Sequence, residues 1–397
     1  MRSKKIRILI VGAGASGCFC AAQLRRSLPG ADIRIVEAGS HPLSKLALTG
    51  GGRCNITNGF SCVESLGDVY PRGERLMKRA LNAFSPKDTL EWFGAYGIRF
   101  VAEDGGRIFP ASGDAMQVVN ALLAALDGVK IECNCRLKEL PQDADCMVVA
   151  TGGGRGMEIL AGLPVEIETP VPSLFTFNIS DSASGGRSAI TALMGLSVPA
   201  WLSIPGTKFR SEGPLLITDW GFSGPAALKL SSFAARYLAE HGYNSELHVR
   251  WMNGSEEMIR EVLSGLKSAN PRKLLSSVHP DIIPSRLWTH LLGRAGLRDS
   301  MTWGETGSGI INKLARILLC DIYYIHGKAS FREEFVTCGG VSLKSIDLNT
   351  LECRQRPGLY FAGEVLDVDA VTGGFNLQAA WSTAYMAAKS IINKYDT

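Results

Sequence analysis

Residues 6–17 read IRILIVGAGASG, and this stretch decides the fold. IRILIV is a short, unbroken apolar run rich in β-branched residues, which predicts a parallel strand buried on both faces. Glycines follow at positions 12, 14 and 17 in the G-x-G-x-x-G spacing, AAQLRRSL (21–28) continues as a helix, and DIRIVE (32–37) is a second strand ending on Glu37. Each glycine has a physical duty in such a unit. Gly12 makes the tight turn, Gly14 lets the backbone approach a pyrophosphate, and Gly17 brings the helix close to the strand. The helix start, with Ala15 and Ser16, offers free N–H groups and a partial positive charge to phosphates. Glu37, 20 residues beyond Gly17 and followed by Ala38, is placed to accept hydrogen bonds from a ribose. An acid there disfavours a 2′-phosphate, so FAD or NAD is expected rather than NADP.

Bulk properties narrow the class. A chain of 397 residues exceeds what one hydrophobic core usually serves, so two or three subdomains are expected. The hydrophobic content of 46% fits a folded protein with a large core, and a net charge of +4 without a long basic run gives no reason to expect nucleic acid. The first apolar run is too short for a membrane span and lacks a cleavage site, so no membrane partner is expected. Ten cysteines include C-x-C pairs at 18/20 and 133/135 but no C-x-x-C. They read as small buried hydrophobes of a cytoplasmic protein, with no metal site.

Later segments choose between FAD and NAD. CMVVAT (146–151) is another buried strand, breaking into glycines at Gly152, so Thr151 and Gly152 join the candidate cofactor residues. GVKIECNCRLKEL (128–140) alternates as a strand and would carry Leu137 past an adenine. GLYFAGE (358–364) is a strand ending in Gly363-Glu364, a glycine–acid pair that in FAD enzymes of this build bonds the ribityl chain. Gly373 and Gly374 precede a helix over 376–393 whose start, with Phe375 and Asn376, would aim N–H groups at the flavin. No second complete fingerprint appears, so NAD(P)H is expected only as a transient electron donor.

The combination of GAGASG, Glu37, LTGGGRCNITN (48–58), IFPASGDAMQVVNAL (108–122), LLITDWGFSGPAAL (215–228), VTCGGVSLKSID (336–347) and GLYFAGEVLDVDAVTGGFNLQAAWS (358–382) resembles the BaiN/YhiN-like family of bacterial NAD(P)/FAD-dependent oxidoreductases. That family includes aminoacetone-oxidase-type members. The resemblance spans nearly the whole chain and implies an α/β fold. Its parts are a Rossmann-like, glutathione-reductase-like FAD-binding domain, an inserted β-rich domain and a small helical domain. The corresponding segments are 1–165 plus 328–397, 166–252 plus 310–327, and 253–309. By resemblance only, Thr337, Gly339 and Gly340 bring another backbone segment close to the isoalloxazine. Two positions depart from the family pattern. Asp219 stands where a histidine is common, and Trp381-Ser382-Thr383-Ala384 replaces a common WSSG, read as a packing change.

No Ser-His-Asp arrangement or other catalytic acid or base can be read from local motifs. The GGGRCN loop supplies further candidates. Gly51 and Gly52 leave room for the cofactor, Lys45 and Arg53 would neutralise pyrophosphate or reduced-flavin charge, and Cys54 and Asn55 start a turn facing the flavin. Asp367 and Asp369 follow the glycine–acid pair, one expected to cap the loop and the other to face flavin or solvent. Trp201, Trp220 and Trp251 are read as core. The expected function is hydride transfer through non-covalent FAD to or from a small organic substrate. An amine or aminoketone oxidase releasing peroxide, and a flavin-binding redox sensor without turnover, are the alternatives. Oligomeric state leaves no mark on the sequence.

Overall fold

A computed structural model of the chain describes residues 5–298, 300–328 and 336–395. The chain divides into two compact units, Met1–Pro172 with Val336–Thr397, and Ser173–Phe335. The expected boundaries at 165 and 328 shift because the strand Ile167–Ser173 pairs with Val336–Val341 and so stays almost wholly with the first unit.

In the first unit, five strands form a sheet in the order Leu359–Phe361, Cys146–Val149, Arg7–Val11, Asp32–Val36, Lys130–Glu132. All four pairings are parallel. Arg7–Val11 lies at the centre and is buried over its last four residues, as its unbroken apolar sequence requires. The edge strand is shorter than expected: only Lys130–Glu132 pairs, and Leu137 lies beyond it in irregular chain. Cys133 and Cys135 therefore sit past the strand rather than on one of its faces. Asn134 takes a left-handed φ of 56°, and its N–H and that of Cys135 bond back to the carbonyls of Gly39 and Glu37.

Two helices pack together beside this sheet, Ala15–Ser27 and the closing helix Phe375–Tyr395. Phe19 of the first meets Trp381 of the second at 5.5 Å, within a cluster that adds Phe84, Trp92 and Phe93. The closing helix also buries polar groups, each satisfied. Gln378 Oε1 accepts from the hydroxyls of Thr57 and Thr89, at 2.5 and 2.9 Å, and its amide donates to Phe84 O and Ser382 Oγ. Trp381 Nε1 donates to Ile56 O. A small antiparallel sheet, Thr57–Asn58, Arg107–Pro110 and Phe100–Glu103, completes this unit.

The second unit is a closed antiparallel barrel. Its strands run in the order Ser197–Ser203, Arg210–Ile217, Gly221–Ser223, Phe177–Ser180, Asp321–Lys328, Asn244–Arg250 and back to the first. Closure removes every open edge. The helices Glu256–Ala269, Ser285–Arg294 and Ser308–Leu319 share one continuous core with the barrel, with Trp251, Trp288 and Trp303 buried in it. The helical segment 253–309 is thus not separated from the barrel core, and its last helix runs through the expected limit at 309/310. Arg294 ties the parts together: its Nε meets Asp321 at 2.7 Å, one terminal nitrogen meets Asp181 at 2.8 Å, and its plane lies over Tyr323. Of the three tryptophans expected in the core, Trp251 is buried, whereas Trp201 is half-buried and Trp220 is 57% exposed at a hairpin tip beside the exposed Asp219.

Candidate cofactor site

The glycine turns of the first unit meet at the carboxyl ends of its parallel strands, where open α/β sheets bind ligands. Gly12 has φ +105°, and a Cβ there would lie 2.4 Å from Ala150 O, at the end of the neighbouring strand. A Cβ on Gly17 would lie 1.9 Å from Gly12 O, so helix and strand touch backbone to backbone. Gly14 differs from both: a Cβ there would meet nothing within 4 Å. The first two glycines are required by chain packing, and the third leaves a bare face at the start of a helix. That is where a pyrophosphate needs room.

Glu37 stands just past its strand. Its carboxylate accepts from Ala13 N and Gly39 N, both at 2.7 Å, which holds the fingerprint turn and the next loop in place. A carboxylate has about four acceptor positions, so two remain for ribose hydroxyls. Ala38 is exposed beside it, and His41 is an exposed loop residue bonded to Ser40. Lys45 is exposed on the short helix Ser44–Leu48 that leads into the glycine run.

In that run Gly50, Gly51 and Gly52 all take positive φ, which only glycine does freely. Gly50 is packed against Asn55 N, while a Cβ on Gly51 or Gly52 would again meet nothing within 4 Å. The residues after them turn elsewhere. Arg53 bonds Glu103 at 2.5 Å and lies 4.3 Å over the Phe109 ring, so its charge is already paired, contrary to the expected phosphate or flavin role. Cys54 is fully buried, and burial pushes its thiol up to about 12, which removes a redox thiolate. Asn55 Oδ1 accepts from Ile108 N and braces the loop.

Thr151 and Gly152 sit where expected, after the Cys146–Val149 strand and against Gly12. The Thr151 hydroxyl is buried and has no hydrogen-bond partner. A buried polar group left so is costly, and a partner supplied by a cofactor would satisfy it. Gly363 packs on Ser16, where a Cβ would approach Oγ to 2.0 Å, and its N–H is accepted by Thr383 Oγ1 at 2.9 Å. Thr383, expected as a packing change alone, thus fixes the Gly363-Glu364 turn to the closing helix. Glu364 Oε1 accepts from Thr337 N at 2.8 Å, and its other oxygen lies beside Gly152.

The TGGFN turn has a different reason for its glycines. A Cβ on Gly374 would lie 2.3 Å from Thr57 O and one on Gly373 would strike the Phe375 ring. Asn376 clamps the preceding loop, exchanging hydrogen bonds with Ala370 N and O, both at 2.9 Å. Phe375 is buried against Phe60 and Tyr70. These four residues build the turn that delivers the closing helix rather than a bare surface. Likewise Gly339 is packed on Thr169 O and Gly340 on Val365 O. Asp369 is wholly buried and ion-paired to Arg72, facing neither flavin nor solvent, and Asp367 N bonds Val341 O. Arg72 escaped the sequence reading because its partner Asp369 lies far along the chain, and the role of Thr383 because the meeting of helix and strand end is set by packing.

The residues fit a dinucleotide: bare glycine faces at 14, 51 and 52, an acid at the strand end, an unsatisfied hydroxyl at 151, and the N–H groups at the start of the helix Ala15–Ser27. Comparison with known proteins agrees with the geometry. The family described as HI0933-like protein Rossmann domain matches residues 6–390. The chain is 28% identical to a ribosomal RNA dihydrouridine synthase of Haemophilus influenzae, over 96% of this chain and 98% of that protein. It is also 28% identical to a 3-dehydro-bile acid delta(4,6)-reductase of Clostridium scindens, over 97% of this chain and 98% of that one. A ribosomal RNA dihydrouridine synthase of Escherichia coli is 28% identical over 97% of each chain.

Proposed function

The chain belongs to the HI0933-like Rossmann family and is a flavin-dependent oxidoreductase built to hold FAD, and from that premise we propose that it is a reductase. Its reaction delivers hydride to a carbon–carbon double bond conjugated with a carbonyl, on a small organic substrate. Support comes from the two kinds of relative, a dihydrouridine synthase and a delta(4,6)-reductase, whose names share one bond change, the saturation of a carbon–carbon double bond. When bound in reduced form, FAD supplies the hydride.

The protein residues supply position and field. Glu37 would receive the adenosine ribose, the open faces of Gly14, Gly51 and Gly52 would leave room for the rest of the cofactor, and Thr151 would gain a hydrogen bond it otherwise lacks. The dipole of the helix Phe375–Tyr395, positive at its start, would favour negative charge on a bound flavin near that end. The proposed holding is non-covalent, in keeping with the burial that raises the Cys54 thiol and denies it thiolate character. NAD(P)H reaches the flavin transiently, because the sequence carries one dinucleotide fingerprint and this one belongs to FAD.

The observations that carry the cofactor assignment are the bare face of Gly14 at the helix start and the buried, unpartnered Thr151 hydroxyl. Purified protein is expected to be yellow and to release free FAD on denaturation. Anaerobic NADH or NADPH should bleach it, and an α,β-unsaturated ketone should then restore the colour. Colourless protein that cannot be reconstituted with FAD overturns the cofactor assignment. Bleaching by aminoacetone-like amines alone, with recovery only by oxygen, overturns the reductase in favour of an oxidase.

A further inference from the structure

The barrel unit carries a pocket of about 600 Å³ on the outer face of three adjacent strands. Its lining is set by register. Trp201 stands opposite Glu212 on one side and Arg250 on the other, and two residues along, Ser203 stands opposite Arg210 and His248. Residues two apart on a strand share a face, so these side chains converge. Lys229 reaches the same pocket from the helix Gly224–Phe233. Of the six charged or ring-bearing groups there, Glu212 is occupied by Trp201 Nε1 at 2.6 Å and His248 by Glu246 at 2.6 Å. Arg210, Lys229 and Arg250 have no ion-pair partner among the described residues.

Three cations and the Glu212 carboxylate around one cavity leave it a net positive charge, which an anion would balance. Guanidinium groups match the paired oxygens of a phosphate, and the indole of Trp201, its plane fixed by Glu212, offers a flat wall for a ring. A volume of about 600 Å³ is within the range of small-molecule sites. We propose that this pocket binds a nucleotide, with its phosphate between Arg210, Lys229 and Arg250 and its base against Trp201. The shared chemistry is a phosphate ester beside a planar ring, presented free or within a strand. The site lies wholly in the barrel unit and needs neither the flavin nor the proposed reaction.

Calorimetric titration of the FAD-loaded full chain tests it, because bound FAD fills the other nucleotide site. Adenosine 5′-monophosphate should bind saturably, more tightly than adenosine or inorganic phosphate, and more weakly as salt rises. The double change Arg210→Gln and Arg250→Gln should weaken binding at least tenfold while flavin absorbance and melting temperature stay put. If that protein misfolds, Lys229→Gln alone should still weaken binding several-fold. Tighter binding of hexaadenylate than of the mononucleotide identifies a strand as the source, and the reverse identifies a free nucleotide; either supports the site. Absence of saturable binding by both, or binding unchanged in the charge variants, overturns it. Inorganic phosphate binding as tightly as the nucleotide overturns the role of Trp201.

Discussion

Glycine is the residue where fold and function separate in this protein. Gly17 is required by contact, with a virtual Cβ 1.9 Å from Gly12 O, whereas Gly14 faces open space. Gly17→Ala should therefore cost on the order of 2 kcal/mol or more in denaturant unfolding of the FAD-free protein. Gly14→Ala should leave that unfolding nearly unchanged and lower the affinity for FAD. Equal effects of the two on apo stability would contradict the distinction. The sequence made the fingerprint legible because it is local: strand, three glycines, helix and acid occur in order within 37 residues. It could not tell which glycines of 373–374 or 50–52 meet chain and which meet space, since that depends on Thr57 reaching Gly374 from far along the chain and on how the loop folds Asn55 back over Gly50. Arg53 misled for the same reason, its partner Glu103 lying 50 residues away. His290 makes a pH-dependent contribution. Desolvation lowers its pKa from 6.5 to about 4, helped by Arg294 and opposed by Asp181. A depressed histidine stabilises the fold above pH 6.5, and that stability drains away as pH falls toward 4. The raised carboxyl of Asp321, shifted mainly by burial, runs the other way. His290→Gln should accordingly flatten the acid-side fall in melting temperature, and an unchanged slope would refute this origin.

Among elements, the closing helix does most to assemble the cofactor unit. Its outline was legible, expected over 376–393 and found as Phe375–Tyr395, because its apolar periodicity is long and strong. Its polar core was not. Gln378 gathers Thr57, Thr89, Phe84 and Ser382 around one buried amide, joining segments about 300 residues apart in the chain. Gln378→Leu keeps most of the volume but removes the nearest acceptor of two buried hydroxyls, leaving Thr89 with Ser85 O at 3.2 Å and Thr57 with Asn58 O at 3.5 Å. The expected loss is about 1–3 kcal/mol by denaturant titration, with FAD retention reduced as the 55–58 loop loosens. A variant as stable as the parent would show that those hydroxyls find other acceptors. The edge strand 128–140 was over-read: its alternation continues in sequence, but Asn134 leaves the extended region and pairing stops at Glu132.

On the scale of the whole molecule, two units carry separate cores, and the insertion was legible from the return of strand signals after the helical stretch. The ten cysteines give a test of that architecture. All are free, six are buried, and Cys62 and Cys320 are exposed. Unfolded protein without reductant should titrate ten thiols, while folded protein should react first at Cys62 and more slowly at Cys320, whose thiol burial raises. Fewer than ten on unfolding would indicate a disulfide that the fold does not contain. The barrel unit is also entered and left beside one point: the chain goes out along Ile167–Ser173 and returns along Val336–Val341, two strands that pair with each other. Ser342 N bonds Glu166 O at the base of this pair, and Gly339 lies on Thr169 O. The paired strands act as a collar that keeps the two cut points together whatever lies between them. Lengthening, shortening or exchanging the intervening segment therefore leaves the ends of the nucleotide unit in register. Across a lineage, such a cassette can be traded for another without rebuilding the machinery that grips the cofactor.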